Sequence, residues 1–213
     1  MNLLATVIGD VVSSRHVGDR AGMHRELAAL LDRVNADTNP VTPLRFTVGD
    51  EFQGAFATIE QALRATLRLR VGLLPTADLR HGIGFGAVTV LQDEPRVEDG
   101  PGWWAAREAI DAVHDAEDHP ATRWVRTAVR GEGVEAPVAA LLPLRDRIVA
   151  ALDERGSAIL AGLLDGRAQR EIADDLAISP SAVSQRIRSS GIDALVLSDQ
   201  ALADQVPADG LTE

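Results

Sequence analysis

The sequence predicts an α+β domain over residues 1–130, a linker at 131–137, an all-α domain over 138–197 and an acidic tail at 198–213. Three observations carry this. Apolar runs of strand length alternate with three- and four-residue apolar periods up to Val129. Gly131–Pro137 gathers glycines, acids and a proline, which are linker signals. Beyond it only the helical period recurs.

The elements follow in order. Leu3–Ile8 is a continuous apolar run, as in a strand buried on both faces, and Gly9-Asp10 closes it. Met23, Leu27, Leu30, Leu31 and Val34 mark an amphipathic helix over Asp19–Ala36 that Asn39-Pro40 ends. Leu44–Phe56 reads as two short strands around a Gly49-Asp50-Glu51 turn. Thr58 is placed to cap a helix over Ile59–Leu74, and Pro75 stops it. Leu79–Leu91 alternates glycine with apolar residues, as a strand or bent strand pair in close backbone contact with a neighbour. The cluster Asp99–Gly102 predicts a turn, Trp103–Ala116 a helix and Arg123–Val129 a last strand. In the second domain Val138–Leu152 is amphipathic, with Pro143 predicting a kink or late start. Helical segments then fall at Ser157–Leu164, Ala168–Leu176 and Pro180–Arg188.

Composition narrows the chemistry. The 213 residues are 46% hydrophobic and carry a net charge of −11, which disfavours general adhesion to nucleic acid or anionic membrane but permits a local basic surface. There is no cysteine, and every basic residue is an arginine. Thiolate zinc sites, cysteine nucleophiles, Schiff-base lysines and lysine-dependent phosphate loops are thereby excluded. No apolar run reaches the roughly 20 residues of a membrane span, and no basic segment with an apolar core opens the chain. A cytoplasmic protein without a membrane partner is expected.

Asp10 and Asp50 each lie at or next to a strand end, where a divalent ion holding phosphates needs anionic ligands; two ordinary loop aspartates are the alternative. Ser13, Ser14 and Arg15 follow the first strand and suit phosphate oxygens, or else turn into the next helix. His114–His119 alternates histidine with acids on what reads as a solvated face, and His16, His24 and His81 have no paired ligand at a metal spacing.

Gln169–Ile187 resembles a helix-turn-helix of bacterial regulators and sigma-factor region four. Ile172, Ala173 and Leu176 form one apolar face, Ile178 plugs the turn, and Ser179-Pro180 starts the second helix. Val183 and Ile187 anchor it inward. Ser181, Ser184, Gln185, Arg186 and Arg188 are then the candidate DNA contacts. The alternative is a helical module used for packing or dimerisation, since Asp153–Ser190 holds six acids against five arginines.

Ile8-Gly9-Asp10, Val48–Gly54, Gly82–Gly86 and Asp99–Glu108 together resemble the SatD family over nearly the whole chain. Residues 1–130 are also similar, more distantly, to the ferredoxin-like palm domain of class III nucleotidyl cyclases. Glu51-Phe52 adds a likeness to the Gly-Gly-Asp-Glu-Phe hairpin of diguanylate cyclases, with Val48 in place of the first glycine. The likeness implies Asp10 and Asp50 as ligands of Mg or Mn, with Gly9, Ser13, Ser14, Arg15, Gly49, Glu51, Trp103 and Arg107 around a nucleotide. The positions of the cyclase purine-reading lysine and transition-state asparagine are Phe46 and Trp103, and only the arginine survives, as Arg107. Trp103 is a stacking wall on this view and a core residue otherwise. The expected protein is a homodimeric DNA-binding regulator whose palm holds a metal–nucleotide. The alternatives are a cyclase-like enzyme and a DNA-binding protein whose N-terminal domain only dimerises.

Overall fold

The structure, a computed structural model, describes residues 2–13, 18–134 and 136–205. Ser14, Arg15 and the tail from residue 206 lie outside the described residues. The chain runs β1 (Asn2–Val11), α1 (Arg20–Thr38), β2 (Thr42–Phe46), β3 (Phe52–Phe56), α2 (Ile59–Leu73), β4 (Leu79–Gln92), β5 (Val97–Asp99), α3 (Pro101–Glu117) and β6 (Thr127–Gly131). Five helices follow: α4 (Ala136–Ala150), α5 (Glu154–Leu164), α6 (Gln169–Asp175), α7 (Pro180–Ser189) and α8 (Ile192–Ala203).

The sheet is ordered β2-β3-β1-β4-β5, and the elements β1 to β4 with α1 and α2 make a β-α-β-β-α-β unit. β4 is one long strand whose outer edge is shared. Its first half pairs with β6 in parallel, from His81 opposite Thr127 to Phe85 opposite Gly131, and its second half pairs with β5. β5 escaped the sequence reading because three residues carry too little alternation to register.

β1 divides its side chains between two layers. Ala5, Val7 and Val11 join the core under α1 and α2, with Leu27, Leu30, Phe52 and Leu69. Leu4 and Ile8 face α3, with Val88, Trp103 and Ile110. The period-two alternation of a strand thus serves both faces of one sheet. Asp19 and Thr58 cap α1 and α2 by accepting from the amides of Gly22 and Gln61. Pro143 sits inside α4 without ending it, seven residues after the helix begins.

The glycines at 82, 84 and 86 occupy alternate positions of β4 on the side of α3. A Cβ on Gly84 would lie 2.1 Å from the Gly102 carbonyl oxygen and 2.3 Å from the Ala106 nitrogen, so α3 rests on bare backbone there. The buried Thr6 hydroxyl donates across this seam to the Gly102 carbonyl at 2.8 Å.

The C-terminal helices pack on α2, whose Leu67 and Val71 join a second core with Ile159, Leu160, Ile172, Val183 and Ile192. Ser198, where an acidic tail was expected to start, lies inside α8, which continues to Ala203. The buried Asp199 side chain accepts from Arg64 at 3.3 Å and from Arg68 at 2.6 and 2.9 Å, so this acid is bound to α2 rather than solvated. No helix is long and apolar enough to cross a membrane among the described residues.

His81 is fully buried on β4, edge-on to Phe52, and neither ring nitrogen has a hydrogen-bond partner. Burial, with the nearby Arg145 and Arg70 guanidiniums, pushes its pKa down to about 3 from 6.5.

Two outcomes are expected. Gly84→Ala costs about 3 kcal/mol in denaturant unfolding, because only backbone stands in the way of the new methyl group. For His81, the unfolded chain binds a proton below pH 6.5 that the folded chain refuses down to about 3, so stability falls on acidification. The slope approaches about 1.4 kcal/mol per pH unit. Asp78, held below its ordinary 3.8, contributes only at lower pH, so unfolding measured between pH 4.5 and 6, with the flatter profile of His81→Leu beside it, isolates the histidine.

Candidate functional site

Asp10 is the last residue on the α3 side of β1, one position short of the strand's end. Arg80 stands opposite it in register on β4. The Arg80 Nε donates to one Asp10 carboxylate oxygen at 2.7 Å, and His114 Nε2 from α3 lies 2.8 Å from the other. Arg80 also pairs with Glu117. Burial alone would lower the Arg80 pKa, but the Asp10 and Glu117 carboxylates more than offset it and raise it.

The hairpin tip folds against the same strand end. Gly49 has φ +66°, the left-handed turn expected of it, and the Glu51 amide closes the turn on the Val48 carbonyl at 3.0 Å. The Asp50 carboxylate accepts from the Val11 amide at 3.3 Å, next to Asp10. Glu51 forms a two-point pair with Arg107 of α3 at 3.0 and 3.1 Å. This hydrogen bonding is the leading reason that the Arg107 pKa is raised.

Asp10, Asp50, Glu51 and Arg107 are therefore gathered where the hairpin, β1 and α3 meet. A Cβ on Gly9 would lie 2.3 Å from the Phe52 ring, so the glycine makes room for the core. Trp103 is not an open stacking wall, since its side chain packs among Leu4, Ile8 and Val88 at 8% exposure. The exposed tryptophan is its neighbour Trp104, at 59%, whose indole N–H donates to Asp99. Ser13 is exposed with φ +53°.

Both Asp10 oxygens already accept from nitrogen donors, and no group of three or more metal-capable side chains converges among the described residues. A metal ion at Asp10 would have to share that carboxylate with His114 and with Arg80, whose positive charge opposes it. Arg80 was not anticipated from the sequence, and His114 and Glu117 were read as part of a solvated face. A signal existed for two of them. Arg80 shares the alternation of Gly82 and Gly84, and His114 lies seven residues, or about two turns, beyond Arg107.

The second cluster is on α6 and α7. The Ala168 amide at the start of α6 donates to the Glu171 carboxylate at 2.8 Å. The connecting turn carries Ala177 at φ +51°, a conformation that favours glycine. Ser179 caps α7 by accepting from the Ala182 amide, Pro180 follows at the first position, and Val183 and Ile187 are buried. Ser181, Gln185 and Arg188 stand exposed. Ser184 and Arg186 turn to partners within the chain: Ser184 donates to Gln169 at 2.8 Å, and Arg186 pairs with Asp153 at 2.6 Å. Among the described residues Arg170 and Arg188 make no ion pair.

The chain belongs to the SatD family, which it matches over residues 4–206. Two solved structures of a bacterial light-regulated adenylyl cyclase are similar, each at 13% identity over 54% of this chain. One has a TM-score of 0.43 and is covered over 40% of its length; the other has 0.41 and is covered over 71%. This chain thus spans less than half of the first of these cyclase chains. No curated protein matches the sequence.

The two carboxylates of the strand-end cluster differ in what they support. Asp10→Asn weakens the pairing of the largely buried Arg80 and costs about 1–3 kcal/mol in urea unfolding. Glu51→Gln, on a half-exposed pair, costs less than about 1 kcal/mol.

Proposed function

We propose that this chain is a DNA-binding regulator in which α6 and α7 act as a helix-turn-helix and α7 is the recognition helix. The observation that carries the reading is one face of α7. Ser181, Gln185 and Arg188, spaced four and three residues apart, project outward from the helix, while Val183 and Ile187 are buried. No acid occurs in Pro180–Ser189. Hydroxyl, amide and guanidinium groups in this arrangement suit base edges and phosphates in a major groove.

Of the acids around this face, Asp153 and Asp175 pair with Arg186 and Arg167, and Arg170 and Arg188 make no ion pair among the described residues. A net charge of −11 then disfavours binding on the rest of the surface. Half-sites related by a two-fold axis would call for a homodimer. The strand-end cluster enters this reading as a brace of the sheet unit, through the Asp10–Arg80 and Glu51–Arg107 pairs.

Selection of duplexes from a random-sequence pool by the full chain at low salt, followed by fluorescence anisotropy on the enriched duplex, tests the reading. Arg188→Ala should weaken binding across sequences and reduce the salt slope by about 0.9. Gln185→Ala should relax preference at one base position at a cost of about 1–3 kcal/mol. A pool that shows no enriched sequence overturns the proposal.

A further inference from the structure

A cleft of about 580 Å³ opens between α1, α2 and α5, on the opposite side of the sheet from α3. Its volume is that of a small-molecule site. The inner wall is apolar, built from Leu30, Val34, Val71 and Leu164, all buried. Three guanidiniums, of Arg33, Arg64 and Arg68, border it.

These arginines differ in what they have left to donate. Arg68 is committed: its terminal nitrogens reach both Asp199 oxygens and the carbonyls of Arg64 and Leu164. Arg64 uses only its Nε, toward Asp199 at 3.3 Å, and its terminal nitrogens make no hydrogen bond among the described residues. Arg33 is exposed and makes none there either. An apolar wall beside uncommitted guanidinium donors selects a molecule with an apolar body and an anionic head. Asp37 and Asp165 also border the cleft, and their charges oppose a head bearing several negative charges.

We propose that this cleft binds an amphipathic monocarboxylate, its chain against Leu30, Val34, Val71 and Leu164 and its carboxylate on Arg33 and Arg64. The site stands apart from the α7 face and from the strand-end cluster, and it does not depend on DNA binding. Because Arg64 also holds Asp199 of α8, a bound carboxylate shares a guanidinium with the contact that ties α8 to α2.

Isothermal titration of the full chain with sodium decanoate, below its micelle-forming concentration, tests this, with decyl phosphate and decanol as comparisons. Decanoate should bind saturably, decyl phosphate more weakly, and decanol at least tenfold more weakly, a loss equivalent to about 1.4 kcal/mol. Arg33→Ala, on an exposed and unpaired residue that leaves the fold intact, should weaken decanoate about tenfold. Ala161→Phe, which fills the cleft from α5, should abolish it. Absence of saturable decanoate binding, equal binding of decanol, or unchanged affinity in both folded variants overturns the proposal.

Discussion

The guanidinium of Arg70 is the interaction on which the rest of the architecture depends. It lies in α2 at 2% exposure, and it donates to Asp78 at 2.7 and 3.2 Å and to Asp146 at 2.9 Å. Asp146, at 1% exposure, also accepts from the backbone amides of Arg126 and Thr127, each at 2.7 Å. One buried group of charges therefore joins α2, the approach to β4, the first residue of β6 and α4. Desolvating such charges costs several kcal/mol per ion, so the group is stable only when all its partners are present together. Burial alone would raise the Asp78 pKa, but the Arg70 and Arg126 guanidiniums hold it below the ordinary carboxylate value.

The same charges continue to the strand-end cluster. Arg126 pairs with Asp78 at 2.9 Å and approaches Glu117 at 3.8 Å; Glu117 pairs with Arg80, and Arg80 with Asp10. Asp10 is thus the outer end of a chain of alternating charges rooted in the core. A second tie, from Asp199 to Arg64 and Arg68, holds α8 on the other side of α2. Through α2 the sheet and the helices that carry α7 form one packed body.

Much of the fold was legible because its signals are local. Thr58 and Ser179 marked helix starts, since a cap needs only an amide two or three residues away. Gly49 marked the hairpin turn and the glycines of β4 marked close packing, although only the structure names α3 as the partner. What was missed is non-local. The partners of Asp10, Arg80 and His114, are separated from it by 70 and 104 residues, so no local signal names them. Trp103 and Trp104 are adjacent in sequence, and the orientation of α3 alone decides which is covered. Ser184 and Arg186 read as candidate DNA contacts with no partner in the chain, because Gln169 and Asp153 become their neighbours only when α5, α6 and α7 pack.

The sequence by itself determined the order and kind of the elements other than β5 and α8, the turn at Gly49, the caps at Thr58 and Ser179, and the apolar anchors Val183 and Ile187, all consequences of backbone sterics and helical or strand period. The tertiary structure decided which charges are satisfied. Asp10 is held by Arg80 and His114, Asp199 is bound beneath α8, and Ser181, Gln185 and Arg188 are left facing water. Charge pairing depends on distances across the packed elements, and those distances exist only once α2, α3 and the sheet have closed around Arg70.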